Sequence, residues 1–150
     1  MAYVTSEARQ QLLDEVAQAI DRLAIALAAI GAAYEALDEQ AGDRLEEALF
    51  RPVQLTYGRA QRTHAGFAER HGLSGRTFAP ATPRHGGLAE QMEDAIDAIQ
   101  GADGQLSELQ DSMMPVEVGD PEVRAGIAEV REALAPLPDR AVELSRRFGR

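Results

Sequence analysis

Six arginines between residues 51 and 84 are the part of this 150-residue sequence best suited to chemistry. They are Arg51, Arg59, Arg62, Arg70, Arg76 and Arg84. At 100° per residue the first four fall within about a 100° arc on one helix, and a loop with the last two can extend this arginine stripe. Guanidinium groups bind phosphates and carboxylates in a forked geometry, so the stripe predicts a site for an anion or an acidic protein partner. The alternative is that these arginines are solvated, or pair with neighbouring acids such as Glu90, Asp94 and Asp97.

The charge of the chain is unevenly distributed around this stripe. Residues 1–50 contain 3 arginines and 10 acids, residues 51–87 contain 6 arginines and 1 acid, and residues 88–150 contain 6 arginines and 14 acids. The formal net charge is -10, which opposes nonspecific binding to a phosphate backbone by the chain as a whole. We therefore expect a protein partner rather than nucleic acid, and an acidic partner if the stripe is free.

Tyr57 and His64 form a second candidate site, because both fall on the predicted inner face of the same helix. His71 follows His64 by seven residues, whereas two histidines that hold a metal on one helix more often stand four apart. Glu-x-x-His pairs of the kind found in di-iron bundles are absent. The sequence therefore predicts an interior polar site without a metal or a cofactor, in which His64 donates or accepts a hydrogen bond with Tyr57 or a facing acid.

Arg59 and His64 also resemble the Arg-x4-His spacing of HEPN-type ribonucleases, helical proteins in which an arginine and a histidine act on RNA. Here the residue after the arginine is Ala60, where that family usually has a polar residue. A histidine phosphotransfer domain is another helical bundle with one active histidine, but Ala65, Gly66 and Phe67 after His64 do not follow its lysine and glycine pattern. The first resemblance implies weak nuclease chemistry as an alternative function.

Other catalytic signatures are missing from the sequence. Acidic pairs such as Glu46 with Glu47 are adjacent and therefore diverge around a helix, so they do not form an acid/base pair. The chain has no cysteine, no glycine-rich phosphate loop and no nucleophile motif. These observations predict a protein that is not an enzyme.

The elements that must position these residues are visible as four apolar ladders with alternating three- and four-residue steps. The first is Leu13, Val16, Ile20, Leu23, Leu27, Ile30, Tyr34, Leu37 and Ala41. Such spacing places each ladder on one side of a helix. We predict helices at about 6–40, 43–71, 88–114 and 121–148, with Gly42 ending the first and a loop at 72–87. The Asp-Pro-Glu sequence at 120–122 predicts the start of the fourth helix, with the aspartate as N-cap and the proline at the first helical position. Prolines predict kinks near Pro52 and near Pro136 and Pro138.

Two short connections and one longer one favour antiparallel neighbours. The predicted fold is therefore all-α, a single domain over residues 1–150 that forms an antiparallel up-down-up-down four-helix bundle. The main alternative is an extended pair of helical hairpins that completes its core as a dimer. A second stripe of small residues on helix one, Ala24, Ala28, Ala32 and Ala36, allows close approach of another helix and favours homo-oligomerisation.

The leading functional prediction is thus a non-enzymatic protein that acts by self-association and by binding a protein partner. The alternative is a module for an anion, a phosphorylated ligand or RNA, organised around the arginine stripe. Uptake of a ligand around Tyr57 and His64 is a third possibility. The longest uncharged run, Leu23 to Tyr34, is shorter than a membrane span requires. The chain starts without the basic and then apolar pattern of a signal peptide, so we expect a cytoplasmic protein without a membrane partner.

Overall fold

The computed structural model describes residues 2–149, with side chains from Val4 to Gly149, and the ends of the predicted domain 1–150, Met1 and Arg150, lie outside that range. Within the described residues the regular structure is helical, and no strand is present. The predicted all-α class is confirmed.

The first helix, α1, spans Ala2–Glu35 and is the longest element of the chain. Its ladder is buried as predicted from Leu13 to Ile30, apart from the partly buried Leu27, but Tyr34 is 44% exposed, so the inner position predicted for Tyr34 is wrong. The helix also ends five residues before the predicted end at residue 40. Asp38 causes this early stop, because its side chain accepts a hydrogen bond from the Ala41 amide and caps a new helix.

The second helical segment has three parts: α2 (Glu39–Leu45), a π-helical turn (Glu46–Phe50) and α3 (Arg51–His71). Gly42 does not end helix one but is buried inside α2 against the Tyr34 ring. The π-helical turn lies directly before Pro52, where a kink or restart was predicted. It uses an i to i+5 bond from the Arg51 amide to the Glu46 carbonyl, which accommodates a proline that has no amide to donate.

A loop at residues 72–87 follows, as predicted, and starts with Gly72 in the left-handed conformation that ends helices. Next come α4 (Leu88–Asp111) and a single turn, α5 (Met114–Glu117), so the predicted helix 88–114 ends three residues early. The predicted helix 121–148 is divided into α6 (Pro121–Leu134) and α7 (Leu137–Phe148). The break at Pro136 confirms the predicted interruption.

The directions of the helices correct the predicted alternating order. Arg9, early in α1, donates to the carbonyl of Val118, whereas Arg22 donates to Gln105, so α1 and α4 are antiparallel. Gln10 donates to the carbonyl of Ser74, just beyond the end of α3, so α1 and α3 are antiparallel as well. Since α3 and α4 both oppose α1, they point the same way, and the up-down-up-down order is wrong.

The loop makes this order possible because it returns along the helices instead of turning over their ends. Residues 73–87, which we call the strap, can reach about 50 Å when extended, and α3 is about 31 Å long. The strap contacts α1 first at Gln10 through Ser74, then at Asp21 through Arg76, and pairs with α4 at Asp94 through Arg84. The length of the loop was compatible with either path, and these side-chain contacts select this one.

Within the described chain, an 18-residue window between Val4 and Glu35 is long and apolar enough to cross a membrane, with a mean hydropathy of 1.5. In the same window, 56% of the residues are buried inside the protein. The core helix of a soluble protein meets the same criterion, and α1 packs extensively against both α3 and α4. The finding is therefore weak support for a membrane span.

Candidate functional site

The most connected polar cluster of the described residues lies where α3 ends beside the start of α6. Arg70 donates two hydrogen bonds to the Asp120 carboxylate, at 2.7 and 3.0 Å, and His71 Nε2 lies 2.8 Å from the same group. Asp120 also accepts from the Val123 amide at 2.8 Å and so caps α6, as the Asp-Pro-Glu sequence at 120–122 predicted. Burial opposes ionisation of Asp120, but the bonds from Arg70, Val123 and His71 prevail and hold its pKa well below the usual range.

A surface hollow of about 240 Å³ lies beside this cluster, between α3 and α6. Arg59, Arg62 and Arg70 line it together with Glu122. Arg59 is paired with Glu129 of α6, and Arg70 with Asp120 and Glu122. Among the described residues no acid pairs with Arg62, so one guanidinium of this hollow has no ion-pair partner.

The remaining arginines of the predicted stripe lie apart from this hollow. Arg76 pairs with Asp21 of α1, and Arg84 pairs with Asp94 of α4 at 2.6 and 3.0 Å. Arg51 is exposed and has no acidic partner in the described part of the chain. Four of the six predicted arginines are thus paired with acids on other elements, and the structure does not bring the six together at one place.

His64 is 3% exposed and lies under the strap, with its ring edge-to-face against Phe78 at 5.0 Å. Burial, with a smaller effect of Arg76, lowers the pKa of His64, which favours the neutral ring. The expected hydrogen bond to Tyr57 or an acid is absent from the described contacts of His64. Tyr57 precedes His64 on α3 and is half-buried. Burial is the main cause that raises the pKa of its hydroxyl, and the negative charge of Asp21 adds to it.

Arg59 and His64 do not converge on a common point. Arg59 reaches Glu129 of α6, whereas His64 contacts the strap beside α1. The pair therefore lacks the shared geometry that two residues acting on one phosphate would need. In the described residues no group of three histidines or acids is placed to hold a metal ion.

The predicted alanine stripe of α1 changes its surroundings along the helix. Ala24 is 6% exposed, Ala28 and Ala32 are half-buried, and Ala36 is exposed. Ala24 and Ala28 line a hollow of about 210 Å³ with Pro80 and Ala81 of the strap. Part of the stripe therefore faces another segment of the same chain across this hollow.

A second apolar hollow, of about 330 Å³, continues from the first at the end of α1. It is lined by Gly31, Tyr34, Glu35, Glu46 and Phe50, and Phe50 also lines the first hollow. We call the two hollows together the α1 groove. Its lower half is the hollow beside Ala24 and Ala28, and its upper half is the hollow beside Gly31 and Tyr34. The sequence prediction did not include Gly31, Tyr34 or Phe50 as site residues. The signal that could have indicated them is the Leu23–Tyr34 stretch, which has no charge on any side of the helix.

Comparisons of the chain with protein-family models, with curated proteins and with solved structures gave no match. The function therefore has to be argued from the residues and surfaces of this chain.

Proposed function

We propose that this protein is non-enzymatic and acts by association, both with copies of itself and with a protein partner. The observation that supports this most is the upper half of the α1 groove, the part lined by Gly31, Tyr34 and Phe50. A hollow of about 330 Å³ with exposed aromatic surface beside it is typical of a binding surface. Burying such apolar surface against a partner stabilises a complex by about 25 cal/mol per Å².

The polar groups support association over catalysis. Arg59, Arg70, Arg76 and Arg84 pair with acids of neighbouring elements, and His64 is buried under the strap. A nucleophile or general base needs a partner and access to a substrate. His64 lacks this access, and the four paired arginines are already bound to carboxylates.

The finer architecture belongs to the same proposal. The four positions of the bundle are α1, then α2 with the π-helical turn and α3, then α4, and finally α6 with α7. The directions of these segments are up, down, down and up, with the strap as the long connection. Such a crossover bundle leaves the outer side of α1 beyond the strap open for a partner.

Size-exclusion chromatography with light scattering tests self-association, using the parent chain and two glycine variants. A Cβ built on Gly31 meets nothing within 4 Å, so Gly31→Leu has room at Cβ and extends an apolar side chain into the groove. Gly104→Leu is the matched control, because Gly104 is also helical and equally open but lies on α4. We expect the parent and Gly104→Leu to exceed the monomer mass, and Gly31→Leu to shift toward the monomer.

A parent chain that stays monomeric at high micromolar concentration contradicts the self-association part of the proposal. Partner binding is tested separately with the peptide described in the next subsection. The cytoplasmic location and the absence of a membrane partner remain predictions.

Arg62 supports a second candidate function, the binding of a phosphorylated ligand or RNA in the hollow between α3 and α6. Fluorescence anisotropy with a labelled single-stranded RNA tests it at low and high salt. Salt-sensitive binding that is lost in the Arg59→Ala, Arg62→Ala double variant supports this candidate. Equal binding by the parent and the double variant contradicts it, and Arg51→Ala provides a control for the loss of an exposed arginine elsewhere on α3.

A further inference from the structure

The strap shows what kind of segment packs against α1 beside the groove. Its residues 76–85 read Arg-Thr-Phe-Ala-Pro-Ala-Thr-Pro-Arg-His, with two prolines three residues apart and an arginine on each side. Pro80 and Ala81 line the lower hollow against Ala24 and Ala28. The flanking Arg76 and Arg84 pair with Asp21 and Asp94. A proline-containing segment therefore forms one wall of the lower hollow beside α1, and it lies between two arginine–acid pairs.

The upper half of the groove has matching chemistry but no occupant from the described chain. Tyr34 and Phe50 supply aromatic surface, and Gly31 leaves the floor open. Glu35 and Glu46 lie on its edge as exposed carboxylates, and no basic residue lines it. Neither acid has an ion-pair partner in the described part of the chain. The upper half is thus acidic at its edge and apolar at its floor.

These observations determine the chemistry of the occupant. Proline fixes φ near −65°, so a proline-containing segment loses little entropy when it binds in an extended form. Grooves lined by aromatic side chains bind such segments through the proline rings. Free carboxylates at the edge favour arginine, and the net charge of -10 attracts a basic segment over a longer range.

We infer that the upper α1 groove binds an extended, proline-containing, arginine-bearing segment of a protein partner. This inference rests on the proposed function and specifies the partner. The prolines pack on Tyr34 and Phe50, and the arginine pairs with Glu35 or Glu46. Self-association places a second copy of the chain in the same groove, but more weakly, because two molecules of net charge -10 repel each other and the strap of each copy is already bound to its own α1.

The chain itself provides the probe, a fluorescent synthetic peptide with the sequence of residues 76–85. Anisotropy titrations with the full chain measure its binding at low and high salt. We expect saturable binding that weakens with salt, and at least about tenfold weaker binding of a peptide in which both arginines are replaced by glutamate. Glu35→Gln with Glu46→Gln in the protein is expected to weaken binding of the original peptide by about tenfold.

The glycine variants locate the site of binding. Gly31→Leu should abolish peptide binding, and Gly104→Leu should bind like the parent. Both substitutions replace a helical glycine, so each should raise helix stability by up to about 1 kcal/mol, and a thermal melt followed by circular dichroism verifies that each variant is folded. Binding that persists in Gly31→Leu means that the peptide exchanges with the strap in the lower hollow, and this result overturns the inference.

Failure of the inference can be distinguished from failure of the proposed function. If the peptide does not bind but the parent self-associates and Gly31→Leu disrupts the assembly, a second copy occupies the groove; the inference falls and the association function stands. If the peptide does not bind and the parent is monomeric, both fall. Peptide binding by a monomeric parent supports the inference and the partner-binding half of the function.

Discussion

The two sides of α3 differ in how their charged and apolar groups find partners. Toward α6, Arg59 and Arg70 are paired with Glu129 and Asp120. Toward α1 and the strap, buried His64 and half-buried Tyr57 lie below a groove whose edge holds the unpaired Glu35 and Glu46. In the folded chain four of the six stripe arginines thus have an acid beside them, whereas the charges without an ion-pair partner at the edge of the groove, among the described residues, are negative. The net charge of a surface therefore depends more on which residues lie next to each other in the folded protein than on the charge of the local sequence.

The largest effect on the free energy of unfolding is expected where α3 and α6 approach each other closely, at Gly126. A Cβ on Gly126 would lie 2.6 Å from Cγ2 and 2.9 Å from Cβ of Thr63. Gly126→Ala should therefore overpack the α3–α6 contact and lower the free energy of unfolding by about 2–3 kcal/mol, measured by urea denaturation. Gly104→Ala, in open space, is the control and should be neutral or stabilising. If Gly126→Ala matches the parent, the two helices are further apart than described.

The Asp120 cluster tests whether charge pairing stabilises this side. Asp120→Ala removes the cap of α6 and the bonds from Arg70 and His71, and we expect a loss of about 2 kcal/mol in urea denaturation. Glu122→Ala removes only a more exposed partner of Arg70 and should cost less than about 0.5 kcal/mol. Equal losses in the two variants would mean that the cluster has no special role. The lowered pKa of Asp120 predicts that its contribution is present above the unfolded pKa and is lost as the pH falls through the folded value.

On the α1 side the equivalent test is the pH dependence of His64. Its folded pKa lies below the unfolded value near 6.5, so below pH 6.5 the unfolded chain binds a proton that the folded chain does not. Stability should therefore decline as the pH falls from 6.5 toward the folded pKa, and should be constant with respect to this group above 6.5. Denaturation curves at several pH values measure the slope. His64→Gln should remove part of it, and an unchanged slope would show that His64 titrates alike in both states.

The smallest effect on the free energy of unfolding is expected for Arg62, which has no acidic partner among the described residues. Arg62→Ala should change the free energy of unfolding by no more than about 0.5 kcal/mol. Arg59→Ala breaks the surface pair with Glu129 and should cost up to about 1 kcal/mol. The difference between the two variants measures what pairing adds on this side of α3. A larger loss for Arg62→Ala than for Arg59→Ala would reverse the assignment of the free guanidinium.

Periodicity and local signals predicted the elements well. The ladders identified the helical segments, the Asp-Pro-Glu sequence at 120–122 identified the start of α6, and Pro136 marked the division before α7. These features depend on residues close together in sequence. Gly42 predicted the end of helix one, but the boundary between α1 and α2 is set by Asp38, whose side chain caps α2. A glycine in a helix is tolerated where a ring such as that of Tyr34 needs the space.

The topology and the site were less predictable because both depend on the path of the strap. Loop length alone allowed a turn over the helix ends or a return along them. The contacts that decide the path join residues far apart in sequence, such as Arg76 with Asp21 and Phe78 with His64. The groove could not be located for the same reason, since Gly31 and Phe50 come from different helices and their separation depends on how those helices pack.

The direction of α4 has a consequence for how the chain folds. During synthesis α1 emerges before α4, but its extensive contact with α4 requires residues 88–111, and Arg9 reaches its carbonyl partner only when Val118 has been made. The apolar face of α1 is therefore fully covered only when most of the chain has been made. Contacts between residues this distant in sequence slow folding. A ribosome-bound N-terminal half exposes that face, which makes it prone to aggregation and a substrate for chaperones until α4 arrives.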